Sequence, residues 1–146
     1  MRKRIVIMGI VSAILIPVII FMLNEFWSYK SFDWKLCNQP NTKWVSDDES
    51  IVLYVENSCK ITGTMRVNGE DIEVYVSDGP GRSQELNIYP IGVLDQAIIS
   101  EEDKYEYWSC FYKSENELVA TVKKTTFYKL GQKIRFHKVE DITISQ

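Results

Sequence analysis

The chain predicts an all-β fold, a small antiparallel meander barrel or sandwich of about eight strands behind one N-terminal transmembrane helix. Three observations predict it. An uncharged apolar run of 19 residues extends from Ile5 to Leu23. From Trp44 onward the apolar period becomes two, and no later stretch sustains the i, i+3, i+4 spacing of a helix. Short apolar-alternating segments then recur at regular intervals between turn signals.

The N-terminal run is close to the ~20 residues that carry a helix across a bilayer core. A secretory h-region is shorter, about 7 to 15 residues, and ends at a small-residue cleavage site. Here the small pair Ser12-Ala13 sits inside the run, and the far flank reads Asn24-Glu25-Phe26-Trp27-Ser28-Tyr29, an aromatic interfacial belt. Pro17 is tolerated in a spanning helix because neighbours or local rewinding satisfy the carbonyl it frees. Arg2, Lys3 and Arg4 stand on the short side, which orients the N-terminus to the cytoplasm. The expected organisation is a cytoplasmic segment 1–4, a signal-anchor helix 5–23 in the cell membrane, a stalk 24–41 and an extracytoplasmic β domain 42–146. A cleaved signal peptide would change the tether but not the compartment.

From Phe26 onward there are 14 Lys and Arg against 19 Asp and Glu, a net charge of −5. Such a surface has no basic stripe and argues against nucleic acid as a partner. Cys37, Cys59 and Cys110 allow one disulfide with one thiol left over, and all three pairings are open.

Within the β domain the clearest segment is KITGTMRVNGEDIEVYV. Asn68-Gly69 suits a type I′ turn, which needs positive φ at both central residues. That turn sets Met65 opposite Ile72, Gly63 opposite Val74 and Ile61 opposite Val76 on one face, with Arg66 facing Asp71 and Thr62 facing Tyr75 on the other. In YEYWSCFYKSENELVATVKK a three-residue loop, with Asn116 left-handed, would bring Trp108, Cys110 and Tyr112 opposite Val122, Ala120 and Leu118. TTFYKLGQKIRFHKV should turn near Gly131 and set Phe127 across from Phe136. SIVLYVE, SQELNIYP and DQAIIS complete the strands.

Chemistry-bearing motifs are sparse. The chain has one histidine, His137, which alternation places on the outward side of its strand without a nucleophile motif beside it. One histidine and dispersed cysteines make no zinc spacing, so no metal or cofactor is expected. Asp47-Asp48-Glu49 and Glu101-Glu102-Asp103 lack the alternation of a calcium loop and read as solvated turn charges. SDGPGRS has neither the lysine nor the following helix of a phosphate cradle and reads as a turn. A carboxylate pair for hydrolysis would have to be assembled from different strands.

The aromatic strand YEYWSCFY supplies the ligand-binding candidates. If Trp108 and Tyr112 fill the core, Tyr105, Tyr107 and Phe111 share the outward face, where rings form a platform for a glycan, a peptide or a lipid. Cross-strand packing alone would account for the same rings.

TKWVSDDESIVLYV, GTMRVNGEDIEVYV and the closing KIRFHKV together resemble a group of small bacterial exported proteins, membrane-tethered or lipid-tethered, with one β-rich domain. The resemblance covers Thr42 to Val139, implies fold and compartment, and brings no activity with it. The chain departs from lipid-tethered members in having no cysteine at the end of its apolar run. The expected function is therefore a membrane-anchored, non-enzymatic binding or envelope-structural module with a glycan, peptide, lipid or envelope protein as partner. The alternatives are an exported hydrolase and a carrier for a small apolar ligand.

Overall fold

In the computed structural model, residues 2–58, 60–91 and 106–139 are described, with side chains from residue 11 onward. The chain divides into two units, residues 1–30 and residues 31–146. The first is helical. Helix α1 runs over Arg2–Asp33 and includes Pro17. Its stretch Val11–Asp33 is long and apolar enough to cross a membrane. Ile14, Ile16, Ile20 and Phe21 all stand exposed.

The second unit is a closed antiparallel barrel in which each strand pairs with the next and the last returns to the first. The strands are β1 (Thr42–Ser46), β2 (Ile51–Asn57), β3 (Lys60–Val67), β4 (Glu70–Asp78), β5 (Glu85–Pro90), β6 (Glu106–Ser114), β7 (Glu117–Lys124) and β8 (Lys133–Val139). Closure rests on β1 pairing with β8, Trp44 opposite Lys138 and Ser46 opposite Phe136. It settles the choice between barrel and sandwich, and it leaves no free edge among the described strands.

Alternation decides which residues fill the interior. Ile51, Leu53 and Val55 of β2 point inward, as do Ile61, Gly63 and Met65 of β3. Trp44, Trp108, Tyr112 and Phe136 are buried to within 1% and are among the largest side chains of the interior. A barrel of eight strands has an interior that side chains of this size can occupy completely. Gly63 is inward because nothing larger fits: a Cβ there would lie 2.2 Å from the Val52 carbonyl oxygen.

The β3–β4 hairpin has the register read from its turn, with Met65 opposite Ile72, Gly63 opposite Val74, Ile61 opposite Val76, Thr62 opposite Tyr75 and Arg66 opposite Asp71. Asn68 and Gly69 have φ of 53° and 86°. The β6–β7 pairings also hold: Trp108, Cys110 and Tyr112 face Val122, Ala120 and Leu118. Their turn differs. Ser114 pairs with Glu117, the register shifts between Tyr112 and Ser114, and Asn116 is not among the residues with positive φ. The Asn116 N–H donates to Ser114 Oγ at 3.1 Å, which closes the turn without a left-handed residue.

Phe127 does not sit across from Phe136. Phe136 pairs with Leu118 and Ser46, while Phe127 belongs to the loop between β7 and β8. The DQAIIS segment lies outside the described residues.

The segment read as a stalk carries structure of its own. Helix α1 continues to Asp33, and Leu36–Asn38 forms a 3-10 turn packed on β2 and β3. Leu36 is fully buried in the barrel core, with Trp34 and Cys37 packed partly against it. Residues 34 to 39 thus close the barrel end at which β4 finishes and β5 begins.

Candidate functional site

Three places in the barrel combine exposed rings, grooves or buried charge. The first is the outward face of β6. Tyr107 is half-buried, and its hydroxyl donates to Glu85 Oε1 at 2.6 Å. Phe111 is 59% exposed. Tyr105 lies outside the described residues. Tyr107 and Phe111 are two outward positions apart with Ser109 between them, so they share a face without touching.

Phe111 pairs with Val119 of β7, and Val119 pairs with Arg135 of β8. Val119 and Arg135 help to line a surface groove of about 390 Å³, together with Asp47, Asp48, Gln132, Lys133 and Ile134. Arg135, Asp47 and Asp48 are already engaged. Arg135 lies 3.3 Å from Glu117 and 3.9 Å from Asp47, Lys113 bonds Glu117 at 3.0 Å, and His137 Nδ1 lies 3.5 Å from Asp47. Asp48 accepts from the hydroxyls of Ser46 and Ser50 at 2.6 and 2.7 Å, and these bonds hold its carboxyl below the usual range.

The second place escaped the sequence reading. Tyr54 of β2, Thr62 of β3, Tyr75 of β4 and Tyr89 of β5 are successive cross-strand partners and form one outward row. Tyr75 and Tyr89 are 40% and 42% exposed with ring centroids 6.5 Å apart. Lys43 Nζ sits 5.6 Å from the centre of the Tyr54 ring. The signal was present as Leu-Tyr-Val, Val-Tyr-Val and Ile-Tyr-Pro, each an outward ring between two inward side chains.

The third place is the closed end of the barrel, where Lys35 and Asp78 meet with side chains 1% and 2% exposed. Lys35 Nζ donates to the carbonyl oxygen of Gly79 and, at 2.9 Å, to that of Gly81. Asp78 Oδ1 lies 3.2 Å from Nζ but off the hydrogen-bonding direction. Asp78 Oδ2 accepts the Cys37 N–H at 3.1 Å, and Tyr112 Oη accepts the Leu36 N–H at 3.2 Å. Burial pushes the Asp78 carboxyl up, against the lowering effect of the Cys37 N–H and the Lys35 charge. Burial, then the nearby Asp78 charge, pushes the Cys37 thiol up to about 11, and the Cys110 thiol and Tyr112 hydroxyl are raised in the same way. Among the described residues Cys37 and Cys110 carry no disulfide, and Cys59 lies outside them.

A further buried carboxylate, Glu106, serves the fold. Oε1 accepts from Thr125 Oγ1 at 3.1 Å, Phe127 N at 3.1 Å and Thr126 N, while Oε2 accepts from Trp108 Nε1 at 3.2 Å. It opens β6 at the end of the barrel opposite Asp78, so the two acids do not face one another. Among the described residues no group of three His, Cys, Asp or Glu is placed to hold a metal ion.

These features define a class: a filled, eight-stranded meander barrel with outward tyrosines and one charged pair sealed in its closed end. No family model, no curated protein and no solved structure matches the chain.

Proposed function

We propose that this protein is a membrane-anchored, extracytoplasmic barrel acting as a non-enzymatic binding or envelope-structural module, its partner engaged by the outer surface. The observation that supports this reading most is the row of outward rings, Tyr54, Tyr75 and Tyr89, on a barrel whose inward positions are occupied by Trp44, Trp108 and Phe136. Large rings left in contact with solvent on a well-packed sheet mark an interaction surface. The apolar helix supports the anchoring, and the arginines and lysine at its N-terminal end support an inward-facing N-terminus.

The test is a photo-crosslinking amino acid placed at Tyr75 and, separately, at Phe111 in intact cells, with membranes then fractionated. The expected result is a discrete adduct in the membrane fraction from at least one position. No adduct from either would sink the binding role and leave a structural one. Recovery of the intact chain in the soluble fraction would remove the anchor. Protease accessibility of the barrel in whole cells checks its side of the membrane.

A further inference from the structure

We propose that Lys35 and Asp78 condense into an intramolecular amide, a covalent cross-link between the segment that closes the barrel and the end of β4. Lys35 Nζ makes two hydrogen bonds, to the carbonyls of Gly79 and Gly81, and its third near neighbour is Asp78 Oδ1 at 3.2 Å, off the hydrogen-bonding direction. An ammonium has three donors and a neutral amine has two plus a lone pair. The two carbonyls hold the nitrogen in place and leave its remaining side facing the carboxyl group. The site is also dry, with both side chains at most 2% exposed. In such a place a charged pair is costly, and one proton shift makes it neutral. Burial, which raises the Asp78 carboxyl, acts in that direction.

The step needs no oxidant and no co-reactant. A proton passes from the Lys35 ammonium to the Asp78 carboxylate, leaving an amine beside a carboxylic acid. The nitrogen lone pair adds to Cγ, the bond from Cγ to the hydroxyl oxygen breaks, and the leaving hydroxyl takes a proton from nitrogen to depart as water. Fixed proximity is the main source of rate, since well-oriented groups reach effective concentrations of about 10⁵ M or more. The Cys37 N–H on Oδ2 holds the carboxyl plane in place. A cavity of about 140 Å³, lined by Cys37, Ser58, Ser77 and Asp78 among others, adjoins the carboxyl and gives the water a way out. The amide keeps one N–H for Gly79, while the Gly81 carbonyl, whose bond is only part-buried, turns to solvent.

The experiment is mass mapping of the full chain purified from membranes in detergent, peptide by peptide. The expected result is a branched peptide joining the Lys35 fragment to the Asp78 fragment, lighter by one water than the two together. Separate linear peptides of unaltered mass would overturn the proposal. Loss of water confined to the linear peptide containing Asp78-Gly79 would also overturn it, because that dipeptide can close on itself as a cyclic imide. Lys35→Arg separates the two routes: it restores the water if the cross-link is real and leaves the deficit if the imide is. Asp78→Asn should give the same branched peptide with loss of ammonia instead. The mapping of the unaltered chain decides the matter even where a variant folds poorly.

Discussion

Lys35 shows how much a single side chain can determine. Breaking a buried pair by removing one partner typically costs about 3–5 kcal/mol, whereas replacing both by apolar groups is often neutral. Lys35→Met removes the cross-link and leaves the Asp78 carboxyl buried without its partner, and should therefore destabilise the barrel by about 3 kcal/mol or more at pH 7. Asp78 without its partner has a carboxyl raised further, so the folded state then binds a proton that the unfolded state releases. The single variant should accordingly be less impaired at pH 4 than at pH 7, which urea unfolding at the two values measures. The thiols carry the opposite end of the pH range. Cys37 is raised from 9.0 to about 11, so folded chains keep a proton that unfolded chains lose between those values. Stability is unaffected by this group below pH 9 and falls as pH rises to 11, with Cys110 and Tyr112 acting in the same sense. The Tm should drop across that window, and Cys37→Ser should flatten the fall.

Among the elements, the β3–β4 hairpin was legible because turn chemistry, inward apolar residues and the Arg66–Asp71 pair all specify one register within a short stretch. The β6–β7 turn was misread because a serine hydroxyl did what a left-handed asparagine was expected to do. Phe127 was misplaced for a different reason. Alternation continued past Lys124 reads as strand, but Glu106 captures the N–H groups of Thr126 and Phe127 and folds that segment into a loop. The binding candidates Tyr107 and Phe111 were placed on the right face, yet the cross-strand row of Tyr54, Tyr75 and Tyr89 exists only once three hairpins are assembled. Two substitutions probe these elements. Gly63→Ala should cost about 2 kcal/mol or more, since its Cβ meets the Val52 carbonyl oxygen at 2.2 Å and β2 and β3 must separate. Glu106→Ala strands the Trp108 indole N–H, at about 1–3 kcal/mol, and takes one acceptor each from the Thr126 and Phe127 N–H groups, the latter keeping Thr125 Oγ1. Hydrogen exchange should then show lost protection at Thr126 and Phe127, with β3 and β4 unchanged.

For the whole molecule, the interior is a jigsaw of rings, Trp108 packing against Tyr128 edge-on at 5.4 Å and near Phe136 at 6.4 Å. Trp108→Ala should cost about 3–5 kcal/mol through lost contacts and a cavity that a closed sheet cannot collapse to fill. Chemical unfolding checks the size, and retention of the β circular-dichroism signal checks that the barrel survives. The sequence carried the architecture because period-two alternation and turn residues are local. The closed end stayed hidden because Lys35 reads as an ordinary stalk charge until β4 brings Asp78 and the Gly79 carbonyl to it.

Pairing of β1 with β8 also sets a timetable for biosynthesis. A ribosome delivers Thr42 long before Val139, and until β8 has emerged the nascent sheet has two bare rims, each a row of unsatisfied N–H and C=O groups able to recruit another chain. Chains ending before Lys133 should therefore accumulate as aggregates or be degraded, while chains that reach Val139, once β8 docks on β1, have no rim left among the described strands.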